Sequence, residues 1–316
     1  MSSRILPMAS YGLHAQLPAS FDHQATGAMG ECERMFYWRH ILGRERSSQD
    51  RTALNWGKTM HTVSEVWETE KNPVLVQETI EKSLDENIED KYGRTKGRMF
   101  EAFLKYAQFQ ATNPIEVLRT EQPTLLTCDS GTSCPYFDGG CGLTYGGRID
   151  RVIRWQGMVG PLDIKTTVMD DQDPISEYRP SHQFQGYVWV VSHLMNDHSW
   201  GIIVDRIVTN KSKIDIKRFP VSFTRDNIRE WVENEKALQA RIHHLYETSP
   251  EDETAWIQNY FRCQKPWPCP FRDACLAPRD GGFRYKWLAQ HTVERRWDFR
   301  NPDGDEVTTP TTEVNV

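Results

Sequence analysis

The stretch GGRIDRVIRWQGMVGPLDIKTT places ionisable side chains where two apolar strands are expected, with a turn at Gln156-Gly157. Asp150 lies in the first strand, and Asp163 and Lys165 lie in the second. Residues two apart in a strand share a face, so Asp163 and Lys165 point the same way and Ile164 points to the other side. Pairing around the turn predicts that two carboxylates and an amine converge at one spot.

Two carboxylates this close repel each other unless a cation lies between them. Mg²⁺ takes oxygen ligands from one or two carboxylates and completes its shell with water and substrate phosphate. A neighbouring lysine then positions or deprotonates a water for in-line attack on phosphorus. The simpler alternative is a surface salt bridge, Asp163 to Lys165 or Asp150 to Arg148.

Two predicted helices carry further polar side chains of interest. His61 lies in GKTMHTVSEVWE with Glu65 one turn later, and Gln183 and Tyr187 lie four apart in the apolar segment HQFQGYVWVVSHLM. Residues four apart share one face of a helix. Each of these residues also fits an ordinary role, as a surface histidine or as a hydrogen-bonded polar group in the core.

The elements that must position these residues have α/β order. Residues 1–30 are expected to be irregular, and GECERMFYWRHILG is expected to be a helix. Amphipathic helices follow over about residues 57–112, then a strand kinked at Pro123 and the hairpin. The predicted order continues with a buried helix (HQFQGYVWVVSHLM), two strands (WGIIVDRIVTN and KIDIKRFPVSF), a long amphipathic helix (NIREWVENEKALQARIHHLYE), a Cys-rich closing loop over 263–275 as the last ordered unit, and a disordered tail over 298–316.

The ordered set His61, Gly147-x-x-Asp150, Asp163-x-Lys165 and Gln183-x₃-Tyr187 resembles the RecB-type nucleases of the PD-(D/E)XK superfamily. The resemblance covers about residues 30–276 and implies one nuclease domain, 31–276. That domain would have a restriction-endonuclease-like α/β core, a mixed central sheet flanked by helices. Here the second acidic residue is Asp where many relatives have Glu, and Pro161 precedes it by two positions.

The resemblance also implies roles for individual residues. Asp150, Asp163 and Lys165 would be catalytic, and Gln183 and Tyr187 would steer the DNA strand. Glu121, in the strand before the hairpin, matches a frequently acidic position. A Mg²⁺ or Mn²⁺ site would be formed by His61, Asp150, Asp163 and the Ile164 carbonyl.

The seven cysteines fall into two groups. Cys32, Cys263, Cys269 and Cys275 are similar in arrangement to the [4Fe–4S] ligands of the CRISPR-adaptation exonucleases and of AddB-like nuclease domains, although the first gap of C-x₅-C-x₅-C is wider than the usual C-x₂-C. Four thiolates also suit zinc, and free thiols are the third alternative. The second group is Cys128, Cys134 and Cys141, which suits zinc with a fourth ligand from elsewhere, such as a histidine, or a loop with incidental thiols.

The chain has 316 residues, 38% of them hydrophobic, and a net charge of −6. Any nucleic-acid contact must therefore come from a local patch. Candidate cations are Arg34, Arg39, Arg44, Arg46, Arg51 and Lys58. Tyr37 and Trp38 are suited either to stacking on unpaired bases or to packing the first helix. The sequence has no long apolar run, and its first residues lack the charged start and unbroken apolar core expected of a signal peptide, so we expect a cytoplasmic protein without a membrane contact.

The resemblance implies a metal-dependent DNase in recombination, repair or phage DNA processing. An exonuclease acting on single strands or duplex ends is preferred over a site-specific endonuclease because much of the family behaves this way. No P-loop is present, so unwinding is expected from a helicase or recombination partner. The alternatives are a non-catalytic DNA-binding or assembly subunit with a structural iron–sulfur cluster, and a nuclease of the same fold that cuts RNA.

Overall fold

A computed structural model describes residues 8–46, 52–86, 88–129, 131, 133–170, 173–264, 268–279, 282–300 and 312–315, with only the backbone at 121, 122 and 312–315. Its centre is a mixed sheet with strand order β6-β5-β4-β3-β2-β8. The strands are β2 (Glu116–Cys128), β3 (Leu143–Trp155), β4 (Met158–Thr167), β5 (Gly201–Thr209), β6 (Ile214–Ser222) and β8 (Thr312–Asn315). A separate short pair joins β1 (Arg44–Arg46) to β7 (Thr292–Glu294).

Helices cover the sheet. They are α1 (His23–Glu31), α2 (Glu33–Phe36), α3 (Thr52–Glu70), α4 (Pro73–Ser83), α5 (Lys96–Thr112), α6 (Pro174–Tyr178), α7 (His182–Leu194), α8 (Arg225–Thr248), α9 (Arg272–Leu276) and α10 (Phe283–His291). One core cluster lies under α3–α5, and another joins α7 and α8 to the sheet. A third cluster joins α1 and α2 to the end of α8 and to the segments that follow it. The predicted α/β class, a mixed sheet flanked by helices, is confirmed.

The hairpin is formed as predicted. β3 and β4 pair antiparallel with Arg151 opposite Leu162 and Trp155 opposite Met158. Gln156 and Gly157 both have positive φ, 51° and 83°, the backbone that a two-residue hairpin turn requires. β2 pairs with β3 on both sides of Pro123, and the irregularity lies at Val117/Arg119. The kink predicted at Pro123 is therefore wrong. Pro123 lies opposite Arg148 in β3, one residue before the pairing of β2 with β8 begins at Thr124.

Four local predictions differ from the structure. The segment predicted to be irregular contains α1, whose first amides donate to the Asp22 carboxylate. The segment DDQDPISEYRPS before α7 has the composition expected of a loop, but it contains α6, which is capped by Asp173. Ordered structure continues beyond the Cys-rich segment into α10 and β7.

The fourth difference concerns the tail predicted to be disordered. Phe299 is buried against Gly146, and Thr312–Asn315 pair in parallel with β2, whose outer edge offers free backbone groups. Residues 301–311 and 316 lie outside the described residues.

Candidate active site

The hairpin brings the predicted carboxylates together. The register of β3 and β4 sets Asp150 beside the Asp163-Ile164 dipeptide. The Ile164 amide donates to Asp150 Oδ2 at 3.0 Å. The Ile164 side chain points into the core, so Asp163 and Lys165 share the opposite face, as alternation requires. The two acidic residues therefore lie side by side, as the sequence predicts.

Helix α3 supplies the predicted histidine. His61 Nδ1 lies 2.8 Å from Asp150 Oδ2. Glu65, one turn later, lines the same small cleft as His61 and Asp150. The cleft is bounded by Arg151, which is paired with Glu68 of α3 at 2.8 Å. This buried pair fixes α3 against β3 and so sets the position of His61.

Lys165 is held between two oxygen acceptors. Its Nζ lies 3.0 Å from Asp163 Oδ2 and donates to Gln183 Oε1 at 2.9 Å. The ammonium also lies 5.3 Å from the centre of the Phe184 ring. Phe184 is a contact that the sequence analysis missed, since its position in an apolar helix predicts only core packing.

The two predicted DNA-steering residues, Gln183 and Tyr187, form a relay inside the protein. Gln183 Nε2 donates to the Tyr187 hydroxyl at 2.9 Å, and that hydroxyl donates to the Arg148 carbonyl at 2.7 Å. Tyr187 is only 3% exposed. Its ring lies 3.3 Å from where a Cβ would project from Gly147, so a larger residue there would displace it. In this structure the pair positions Lys165 and β3.

The two carboxylates differ in their proton affinity. Burial raises the pKa of Asp163 to about 6, opposed by Lys165 and assisted by Asp150. Burial acts in the same direction on Asp150, but His61, the Ile164 amide and Lys165 outweigh it and lower its pKa. Burial also opposes the charged form of His61, and Asp150 raises the pKa of that imidazole. A buried carboxylate and a half-buried one beside an imidazole are a donor set that suits Mg²⁺ or Mn²⁺.

Cys32, Cys263, Cys269 and Cys275 lie in one region. Cys32, in extended conformation between α1 and α2, accepts from the Asn259 amide at 3.3 Å, and Cys275 accepts from Trp38 Nε1 at 3.5 Å. Burial, together with the thiols of Cys275, Cys32 and Cys263, raises the pKa of Cys269 to about 11. Four thiols with amide and indole donors suit a thiolate-bound metal group.

Cys128, Cys134 and Cys141 meet His193 of α7, and the four ligand atoms lie within 4.8 Å of one another. No other set of three or more such atoms in the described part of the chain is as close. The sequence left the fourth ligand open. His193 carries no local signal, since it lies near the end of an apolar helix.

The proposed DNA contacts are partly wrong. Tyr37 and Trp38 are fully buried in the core beneath α2, so they pack the molecule and do not face unpaired bases. Arg34 is buried and donates to the Trp256 carbonyl, and Arg44 is buried against Thr292. Both guanidinium groups are therefore occupied within the protein: Arg34 links α2 to Trp256, and Arg44 links β1 to β7.

The other predicted site residues either have partly accessible side chains or lie where the structure does not describe the side chain. Arg39, Arg46 and Lys58 are half-buried. Arg51 lies outside the described residues, and Glu121 lies in β2 with its side chain outside the description. No helix in the described ranges has the length and apolarity of a membrane span.

Comparison with known proteins identifies a family. No curated protein matches the chain. A solved structure described as "Crystal structure of SSO0001" is 13% identical, with a TM-score of 0.28, over 71% of this chain and 93% of that chain. The sequence profile of the PD-(D/E)XK nuclease superfamily, whose members are typically metal-dependent nucleases, matches residues 24–276. The chain therefore belongs to the PD-(D/E)XK nuclease superfamily.

Proposed function

We propose that this protein is a divalent-metal-dependent DNase whose catalytic residues are Asp150, Asp163 and Lys165. The observation that carries the proposal is Lys165 held between Asp163 and Gln183, beside the His61–Asp150 pair. A surface salt bridge, the simpler alternative, is disfavoured because Asp163 is only 1% exposed. Charges of this kind are rarely buried without a task.

The residues divide the work of phosphodiester hydrolysis. His61, Asp150, Asp163 and the Ile164 carbonyl would hold Mg²⁺ or Mn²⁺, which supplies positive charge against the phosphate oxygens. The Lys165 ammonium orients the attacking water and stabilises the negative charge on the phosphoryl oxygens in the transition state. Gln183 keeps Lys165 aimed at that position, and Tyr187 fixes Gln183. The proposal has further parts that rest on the resemblance and the sequence. They are cleavage of DNA from an end, a role in repair, recombination or phage DNA processing, a helicase partner and a cytoplasmic location.

Asp163→Asn tests the proposal. With Mg²⁺ or Mn²⁺ on end-labelled DNA, we expect cleavage to fall about a hundredfold or more, and DNA binding measured by anisotropy to survive. Asp215→Asn is the matched control. Asp215 pairs with Lys217 at 3.0 Å on β6, and the substitution removes the same charge away from the candidate site. The control should cleave like wild type.

Substrate form separates the remaining alternatives. An exonuclease degrades linear single strands or duplex ends and spares covalently closed circles of the same sequence. A preference for matched RNA oligonucleotides would replace DNA as the substrate. Wild-type protein that binds DNA but cuts no form of it with either metal would establish a binding or assembly subunit instead.

We also propose a [4Fe–4S] cluster at Cys32, Cys263, Cys269 and Cys275. A cluster spreads its thiolates more widely than a single ion does, because each sulfur binds a different iron. No three of these thiols, all within the described residues, are as close as Cys128, Cys134 and Cys141, and a cluster does not require such a close set. The hydrogen-bond donors to Cys32 and Cys275 would stabilise thiolate charge.

A further inference from the structure

The loop between β2 and β3 folds back onto the end of α7 and encloses three thiols and an imidazole. Cys128 ends β2, Cys134 and Cys141 lie in the loop, and His193 lies in the last turn of α7. All four are buried, with exposures between 0% and 8%. The three cysteines lie together in residues 128–141, but His193 lies 52 residues after Cys141, so chance clustering within one Cys-rich loop does not account for the imidazole.

The hydrogen bonds of His193 fix the nitrogen that is available for a metal. Nδ1 lies 2.8 Å from the Trp189 carbonyl, which can only accept, so Nδ1 carries the proton. The lone pair of Nε2 therefore points at Cys134 Sγ, 3.4 Å away. A second contact stabilises the set, as the Cys141 amide donates to Cys128 Sγ at 3.2 Å. A carbonyl bonded to the second ring nitrogen is the usual support of a histidine ligand.

We propose that Cys128, Cys134, Cys141 and His193 bind one Zn²⁺ as a structural site. Tetrahedral zinc with Zn–S distances of about 2.3 Å sets its ligand atoms roughly 3.8 Å apart, within the 4.8 Å span of this set. Three thiolates and an imidazole are too soft a donor set for Mg²⁺. Four protein ligands leave no open position, so the ion stabilises the fold and takes no part in hydrolysis.

The position of the site indicates which part of the fold the zinc would stabilise. His193 is ten residues after Gln183 on α7, about 15 Å along the helix axis. One end of α7 carries Gln183 and Tyr187, which hold Lys165 and β3, and the zinc would fix the other end to β2. The ion would thus set the angle of α7 across the sheet. The inference stands on the four ligands and is independent of the proposed nuclease activity.

Metal content of the full-length protein tests the proposal. We expect about one zinc per chain in wild type and less than about 0.2 in Cys134→Ser and in His193→Ala, measured by plasma mass spectrometry. Two controls should keep their zinc. Cys263→Ser removes a thiol from the other group, and His198→Ala removes the neighbouring imidazole that packs on Tyr136. Zinc retained in Cys134→Ser, or iron lost there instead, would overturn the proposal.

Zinc-edge X-ray absorption of wild-type protein covers the case in which the variants do not fold. The expected shell is three sulfurs at about 2.3 Å and one nitrogen at about 2.0 Å. A shell of four sulfurs would exclude His193. Wild-type protein without zinc, or with a disulfide between two of these cysteines in a mass map, would also reject the site.

Discussion

At the scale of single residues, the proposed chemistry depends on how firmly Lys165 is held. A free lysine side chain carries about 2 kcal/mol of rotamer entropy, which must be lost if the ammonium is to act at one point. Here Asp163, Gln183 and the Phe184 ring restrict it in the absence of substrate. The site is therefore organised before substrate binds. A charge that is already in position stabilises the transition state without a cost of reorganisation.

Gln183→Leu should reduce cleavage by positioning, without removing a catalytic group. A hydrogen bond to a charged group contributes about 1.5–3 kcal/mol, so we expect kcat/KM to fall about 10- to 100-fold. The loss should appear mainly in kcat, measured with saturating DNA. Gln185→Leu, two residues away on α7 and facing a different groove, is the matched control. Equal effects of the two variants would show that only helix α7 itself matters.

His40 predicts how stability depends on pH. It is 4% exposed, both ring nitrogens lack a hydrogen-bond partner in the described structure, and burial with the nearby Arg39 charge lowers its pKa to about 3. Below about pH 6.5 the imidazole of the unfolded chain binds a proton, whereas the imidazole of the folded protein stays neutral. The unfolding free energy therefore decreases as the pH falls from 6.5 to 3.

His40→Leu should remove that dependence. From pH 7 to pH 4.5, the variant should lose about 2.5 kcal/mol less unfolding free energy than wild type, measured by urea titration. Between pH 7 and pH 8 both states hold a neutral imidazole, so the two proteins should change in parallel. Parallel curves over the acid range as well would show that His40 is protonated in the folded protein.

At the scale of elements, α7 connects the candidate site to the core. It packs so closely on β3 that a Cβ on Gly186 would lie 2.6 Å from the Tyr145 hydroxyl and 2.8 Å from its ring. Tyr145 is fully buried and itself packs edge-on against Trp231 of α8. The ring has no room to move, so the helix would have to shift instead.

Gly186→Ala should therefore destabilise the protein and lower its activity. Overpacking of this kind costs about 1–3 kcal/mol, which urea unfolding would measure. Adding Tyr145→Phe removes the nearest atom and should recover part of the loss. Gly27→Ala in α1, where no atom lies within 4 Å, should instead raise stability by about 0.5–1 kcal/mol. If Gly186→Ala behaves like Gly27→Ala, the close approach of α7 is wrong.

Sequence predicts those elements whose signals are local. The hairpin follows from alternation and from Gln156-Gly157, and α7 follows from an apolar run. Helix α1 was missed because Gly27 and Gly30 weaken its propensity, while burial of its face against α7 and α8 stabilises it. The partnership of His193 with the cysteines depends on which strand lies next to which helix, information that no local pattern carries.

At the scale of the whole molecule, early and late parts of the chain hold each other. β1 pairs with β7, and Arg241 of α8 bonds to Glu33 of α2 at 3.1 Å. Glu33 also accepts from the Ile257 amide at 2.8 Å. Cys32 lies next to this junction, so a cluster there would link the start of α2 to residues 263–275 across more than 200 residues of sequence.

Cys32→Ala tests this link because it removes the one ligand that comes from the N-terminal side. We expect anaerobically purified wild type to hold about four irons per chain and the variant almost none, with loss of the brown colour. Since bound metal stabilises only the folded state, Tm should fall by about 5–10 °C. Cys128→Ser is the matched control. It removes a buried thiol from the proposed zinc site of Cys128, Cys134, Cys141 and His193, and the variant should keep its iron. Iron retained in Cys32→Ala would place the cluster elsewhere, and stoichiometric zinc in place of iron would make this junction a second zinc site.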